Sequence, residues 1–300
     1  MFSYQHEYHA GNHADIFKHV CLTLILESLC KKDKPFTVID MHAGSALYAL
    51  NDERLLKTGE AESGIKKLFE FCLMQRMDIH SITLPEGMKE YLKAEEPYLK
   101  NGLYAGSPEI ARLYMRNGDA LFLTEMHPQA AKNLEENMKM TLLRTREDGS
   151  CAEEKCPVKA VIKIEDSYTA LNALTPPKIK RGLILCDPSY EDASDYKKVT
   201  EAIKNAHKKW NTAVIAVWYP LLLRRKNETA QMLSSLEDYV KLGLNQVQTV
   251  RLEMAVKNPD ELDQDSNAHL YGSGMFLINP PWQVKEKMEK VASVLKKILV

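Results

Sequence analysis

No stretch of this 300-residue chain is apolar for long enough to cross a bilayer. The longest, Ala213 to Leu223, falls well short of the ~20 residues a spanning helix needs, and Pro220 interrupts it. The first residues, Met1-Phe2-Ser3-Tyr4-Gln5-His6, hold no apolar signal core. The six cysteines, at 21, 30, 72, 151, 156 and 186, show no framework spacing. Cys151 and Cys156 have no second pair to complete a zinc site. Free thiols and a cytoplasmic location are expected. Charge of one sign is lacking too: 40 Lys and Arg stand against 41 Asp and Glu, a net charge of −1. With no global basic field, any nucleic-acid contact must come from a local patch such as Lys178-Lys180-Arg181 or Arg224-Arg225-Lys226. Taken singly, each such cluster reads as a solvated face. Neither a glycine-rich dinucleotide fingerprint nor a Gly-Lys-Ser/Thr phosphate loop is present, which counts against nicotinamide enzymes and nucleotidases.

What is present is a rhythm of short apolar runs and amphipathic stretches. Residues 14–31 keep a helical period behind Asn12 as N-cap, and Phe36–Ile39 follows as a strand. The stretch from about 50 to 106 is charged and helical, with no convincing strand. It is expected to be an insertion within a single 1–300 domain. Ser107-Pro108-Glu109 reads as a helix start, with Ser107 as the cap and Pro108 at the first position. Strands are then expected at 120–124, 158–164, 183–186, 213–218, 246–253 and 275–278, with helices between most of them. The polar residues 144–156 read as a loop. This pattern predicts an α/β fold with a seven-stranded, mostly parallel sheet. The insertion follows the first strand, and the last two strands form an antiparallel pair at one edge.

In open α/β sheets, ligands bind at the carboxyl ends of the strands. Here the first strand ends at Asp40, before His42-Ala43-Gly44. The second ends at Glu125, the third at Asp166 and the fourth at Asp187. A small-residue loop with acids after strands two and three suits a nucleoside without phosphates, S-adenosylmethionine. Glu125 would accept from ribose hydroxyls, and Asp166 would meet the adenine amine. Asp187-Pro188-Ser189-Tyr190 sets a carboxylate, a fixed carbonyl and an aromatic ring together, as a flat amino-bearing base requires. Asn279-Pro280-Pro281-Trp282 spells the motif of amino-methyltransferases more closely, but it follows the seventh strand and has no carboxylate. Strand counting therefore favours Asp187. His6, His9, His13 and His19 have partly helical spacing, but no Cys or carboxylate set completes a metal geometry, so no metal is expected.

One block is more specific. The run Tyr4-Gln5-His6-Glu7-Tyr8-His9-Ala10-Gly11-Asn12-His13-Ala14-Asp15, continuing to Lys18-His19, is followed by Asp40-Met41-His42-Ala43-Gly44 and Gly106-Ser107-Pro108. Thr124-Glu125-Met126-His127-Pro128, Cys186-Asp187-Pro188, Trp218-Tyr219-Pro220 and Ser273-Gly274-Met275 come after. Over nearly its whole length the chain resembles the J-type large-subunit ribosomal RNA methyltransferase family, whose members make N6-methyladenine in 23S rRNA. The resemblance implies a Rossmann-like class I fold with S-adenosylmethionine as donor and S-adenosylhomocysteine as product. It implies cofactor contacts from His19, His42, Ser107, Glu125, Asp166, Ser167 and Asp187. Catalysis would rest on Asp187 with Pro188, and Tyr190 would stack on the base. Tyr4, His6 and Lys18 would face the RNA. A monomer acting on protein-free or early-assembly 23S rRNA is expected. A DNA adenine N6-methyltransferase and a non-catalytic cofactor- or RNA-binding module are the alternatives. The chain departs from the family pattern at Ser189, where a second proline is usual, at Ser45-Ala46, where a further glycine is common, and at Ser167, where glycine is usual.

Overall fold

The computed structural model describes residues 5–74, 84–146, 148–243, 247–262 and 270–300. Its central sheet has seven strands: β1 (Thr37–Asp40), β2 (Ala120–Thr124), β3 (Val161–Lys163), β4 (Gly182–Cys186), β5 (Val214–Leu222), β6 (Thr249–Ala255) and β7 (Leu270–Ile278). They lie in the order β6-β7-β5-β4-β1-β2-β3. β1 pairs in parallel with β2 and β4, β2 with β3, and β4 with β5. β7 is antiparallel to both β5 and β6. Every residue of β1 and β4 is buried, the continuous burial expected of strands covered on both faces.

Among the described residues, ten α-helices accompany the sheet: α1 (His13–Cys30), α2 (Glu53–Thr58), α3 (Lys67–Met74), α4 (Met88–Lys100), α5 (Ser107–Tyr114), α6 (Pro128–Asn137), α7 (Ser167–Leu174), α8 (Ala193–Lys209), α9 (Lys226–Gly243) and α10 (Val284–Leu299). α1 is apolar nearly all round and almost wholly buried, which makes it a core helix. The Asn12 side chain accepts from the amides of Ala14 and Asp15 and so caps its N-terminus. Polar side chains cluster on its first turns, where Asp15, Lys18 and His19 are buried together. Among the described residues, no helix is long and apolar enough to cross a membrane.

Three local expectations are corrected. Residues 103–105 form a strand that pairs antiparallel with Leu47–Ala49, joining the two ends of the intervening stretch. Residues 144–156 are not a plain loop: Leu142–Thr145 pairs with Cys151–Glu154 as an antiparallel hairpin. Its polar alternation hides it in the sequence. It is docked by buried Leu142 and Ala152 and by the Thr145 hydroxyl, which donates to Glu96 at 3.1 Å. Ser107 does not cap α5. Gly106 holds that position, and the Ser107 hydroxyl is drawn to Asp40 instead.

The segment before α1 is pinned to residues 58–65. The Thr58 hydroxyl donates to the Tyr8 carbonyl at 2.6 Å, His9 Nδ1 lies 2.8 Å from Glu60, and the Ile65 amide donates to the Gly11 carbonyl at 2.8 Å. A side chain at Gly64 would break this contact, since its Cβ would lie 2.1 Å from the Gly11 carbonyl oxygen and 2.9 Å from Asn12 Cα. Gly64→Ala is expected to cost about 1–3 kcal/mol of unfolding free energy, read from urea melts. Amide exchange at 8–12 should accelerate with it, and unchanged exchange there would show that the seam does not hold the segment.

Candidate active site

The carboxyl ends of β1 to β5 open into a cavity of about 500 Å³. β1 ends at Asp40, whose Oδ2 accepts from the Ser107 hydroxyl at 2.7 Å and whose Oδ1 accepts from the His42 amide at 3.2 Å. Burial pushes the Asp40 carboxyl up to about 6, with these two hydrogen bonds working against it. The loop then passes through Gly44 at φ +58, where a Cβ would meet the Tyr48 hydroxyl at 2.2 Å. This geometry aims the Gly44 amide at Glu125 Oε2, 2.8 Å away. The His127 amide donates to the other oxygen at 2.7 Å, so Glu125 at the end of β2 is held from both sides. Ala46, where a glycine is common in the resembling family, is buried at φ +64, a conformation that strains a side-chain-bearing residue.

At the end of β3, Asp166 caps α7 through Oδ1, which accepts from the Thr169 amide at 2.8 Å. Ser167 Oγ meets His42 Nε2 at 2.9 Å, and His42 Nδ1 accepts from the Asp187 amide at 3.1 Å. Because Nδ1 accepts from an N–H, the His42 proton sits on Nε2 and is donated to Ser167. Burial lowers His42 to about 3, so the ring stays neutral and serves as a fixed spacer between the two strand ends.

The Asp187 carboxylate at the end of β4 has a cationic partner. Lys18 Nζ lies 2.5 Å from Asp187 Oδ2 and 2.7 Å from Asp15 Oδ1. Asp15 Oδ2 accepts from the Gly11 amide at 2.9 Å and lies 3.0 Å from His6 Nε2. Burial opposes the Lys18 charge, but the two carboxylates outweigh it and raise the ammonium above its usual range. Burial likewise opposes the Asp15 charge, and His6 and Lys18 overcome it and hold that carboxyl well below its usual value. The chain His6–Asp15–Lys18–Asp187 therefore locks one oxygen of Asp187. Among the described residues, no partner occupies Oδ1.

Of the residues expected at the site, His6, Lys18, His19 and His42 line this cavity. So do Ser107, Glu125, Asp166, Ser167, Asp187 and Pro188. Tyr4 lies outside the described residues. Tyr190 is placed differently from the expectation: its ring is 1% exposed and does not reach the cavity. Its hydroxyl donates to the Trp218 carbonyl at 2.9 Å, and its ring packs 4.5 Å from that of Tyr196. Tyr190 takes φ +51, uncommon for an aromatic residue, and the inward turn of its side chain follows from it. Trp218 and Pro220 line the cavity instead.

The competing Asn279-Pro280-Pro281-Trp282 turn is excluded by direction. Because β7 is antiparallel, its carboxyl end lies beside the start of β5, at the opposite edge of the sheet. The Asn279 amide is spent on the carbonyls of Asn211 and Ala213, both at 2.8 Å, and Trp282 is 87% exposed. Asp15 was not singled out from the sequence. Its signal was its position three residues before Lys18, one helical turn away on the same face. Three of the four histidines have partners: His6 has Asp15, His9 has Glu60 and His19 has Tyr104.

Residues 33–300 match the family described as "Ribosomal RNA large subunit methyltransferase D, RlmJ". Two relatives named "Ribosomal RNA large subunit methyltransferase J" align over the whole chain and over 95% of their own length. The Escherichia coli protein is 36% identical and the Haemophilus influenzae protein 35%. A crystal structure of a Legionella pneumophila protein superimposes with a TM-score of 0.77 at 31% identity, over 97% of this chain and 94% of that one.

Proposed function

Since the chain belongs to the RlmJ family of large-subunit ribosomal RNA methyltransferases, we propose that its cavity joins S-adenosylmethionine to an adenine of 23S rRNA and methylates the N6 amine. The observation that carries this reading is the Asp187-Pro188 turn, which faces the same cavity as the fixed Glu125 carboxylate and Asp166. The donor set fits the cofactor. Glu125 has two acceptor oxygens already oriented by backbone amides, Asp166 has one oxygen left over from capping, and the buried His19 Nε2 has no partner. When bound, the cofactor supplies an electrophilic methyl on a sulfonium.

The protein's part is alignment and electrostatics. The adenine N6 lone pair is delocalised into the ring. Asp187 Oδ1 and the Pro188 carbonyl accept the two amine hydrogens and turn that lone pair out of the base plane, and as N6 gains the methyl group it gives up one of these protons to Asp187, directly or through water. Lys18 keeps Asp187 Oδ2 occupied, so Oδ1 is the oxygen presented. Tyr190 acts from behind the turn, pinning the residue after Ser189 through the Trp218 carbonyl. This tether makes up for the second proline that Ser189 replaces. Trp218 offers an aromatic wall to the base, which has to leave its helical stack to enter. His6 approaches the RNA from the segment that precedes α1, and Tyr4 is assigned to the RNA on the family resemblance alone. The whole chain acts as one monomeric, cytoplasmic methyltransferase unit on rRNA that is free of protein or early in assembly, with residues 50–106 as an insertion into it.

Labelled-methyl transfer tests the reading. Incubation with protein-free 23S rRNA is expected to yield N6-methyladenosine after nuclease digestion. Duplex DNA and assembled large subunits should yield far less. Label on DNA in place of RNA would install the DNA methyltransferase reading, and label on neither would leave a binding module.

A further inference from the structure

His19 is buried against the cavity with one ring nitrogen engaged and the other without a partner. Its Nδ1 lies 2.8 Å from the Tyr104 hydroxyl, and the two rings stack with centroids 5.8 Å apart. The Tyr104 hydroxyl lies 3.3 Å from that of Tyr91, which has no other hydrogen-bond partner among the described residues. All three side chains are buried. Tyr91 comes from α4 and Tyr104 from the 103–105 strand, so the stretch between β1 and α5 reaches the cavity through His19.

Proton bookkeeping decides how this chain is polarised. If His19 Nδ1 donated to Tyr104, Tyr104 would have to donate to Tyr91, and the buried Tyr91 hydrogen would find no acceptor. In the opposite sense Tyr91 donates to Tyr104 and Tyr104 donates to Nδ1, so every hydroxyl hydrogen is used. The single imidazole proton then sits on Nε2. Burial, with the Lys18 charge beside it, holds His19 well below its ordinary value, so there is no second proton.

We propose that Tyr104, backed by Tyr91, is a positioning residue that fixes His19 as an Nε2–H donor to the carboxylate of the cofactor's amino-acid portion. The assignment presupposes that the cavity takes S-adenosylmethionine. With ribose at Glu125 and adenine at Asp166, the ligand runs from the β2–β3 side back towards β1 and β4. Its amino-acid end then approaches α1, which packs against α5, β5 and β7 on the far side of the cavity from Asp166. At that end the carboxylate accepts, whereas the ammonium does not.

Titration calorimetry on the full chain tests this with two ligands. S-adenosylhomocysteine carries the amino-acid portion, and 5′-deoxy-5′-methylthioadenosine lacks it. Tyr104→Phe keeps the ring and removes the hydroxyl. It is expected to weaken S-adenosylhomocysteine about tenfold and to leave methylthioadenosine within about twofold of wild type. Imidazole ¹⁵N shifts of wild-type His19 should report a protonated Nε2 and a bare Nδ1. Equal weakening of both ligands, no weakening of either, or the reverse tautomer would overturn the assignment. A wild-type chain that binds neither ligand would remove the cofactor reading itself, and this assignment with it.

Discussion

Asp187→Ala is expected to abolish methyl transfer to 23S rRNA, by about 10³-fold or more, and to keep S-adenosylhomocysteine affinity within about tenfold of wild type. The carboxylate is the group that can accept from a flat exocyclic amine at the end of β4, and its Oδ1 is left open by the grip of Lys18 on Oδ2. Loss of the side chain leaves Glu125 and Asp166, the carboxylates proposed for the ribose and the adenine, in place. It also leaves Lys18 paired with Asp15 at 2.7 Å, so the variant should fold. Single-turnover kinetics at saturating cofactor separate the chemical step from binding. A variant that kept more than about a tenth of wild-type turnover would show that Asp187 is not the acceptor.

Arg112→Met is expected to destabilise the fold by about 3–5 kcal/mol in urea or thermal melts, because it strands a buried charge. Glu109 is 0% exposed and Arg112 3%, with Arg112 Nη1 2.6 Å from Glu109 Oε2. The same guanidinium donates to the Met140 carbonyl at 2.7 Å, tying α5 to the chain beyond α6. Tyr98 donates to the other Glu109 oxygen at 2.6 Å. Burial raises Glu109 above its usual value, and Arg112 opposes that rise. A carboxyl raised in the folded state contributes stability that is full below its unfolded pKa and is lost as pH rises through the folded one. Arg112→Met raises Glu109 further, so its deficit should grow from acidic to neutral pH. A second change, Glu109→Gln, should recover part of the loss. A deficit under about 1 kcal/mol at neutral pH, or one independent of pH, would deny the pair this role.

The sheet and most of the site were legible because each rests on local chemistry. Four apolar runs stop at Asp40, Glu125, Asp166 and Asp187, and a strand's carboxyl end can be read from where its apolar residues cease. The choice of Asp187 over Asn279 followed from strand order. Its stronger physical ground, the reversed direction of β7, depends on how distant strands pair and is written in neither turn. Lys18 and Asp187 are 169 residues apart, so no spacing rule joins them. Tyr190 misled because its residue type suits stacking, whereas its backbone angle decides where the ring points. The 142–154 hairpin was hidden by its polar outer face, since alternation on an exposed ribbon resembles loop composition.

The acidic lining of the cavity bears on how a polyanion is admitted. Glu7, Asp15, Glu60, Glu125, Asp166, Asp187, Glu191 and Asp195 all line the cavity, against Lys18 and Lys198. Field lines from such a lining repel phosphodiesters and draw in a cation. A nucleotide is therefore expected to enter base-first, with its sugar-phosphate thread kept at the rim. The same asymmetry sorts the two forms of the cofactor, since a sulfonium leaves the cavity as a neutral thioether once the methyl has gone. A lining of this sign is expected to hold the charged donor more tightly than the spent thioether, by a margin that shrinks as salt is added.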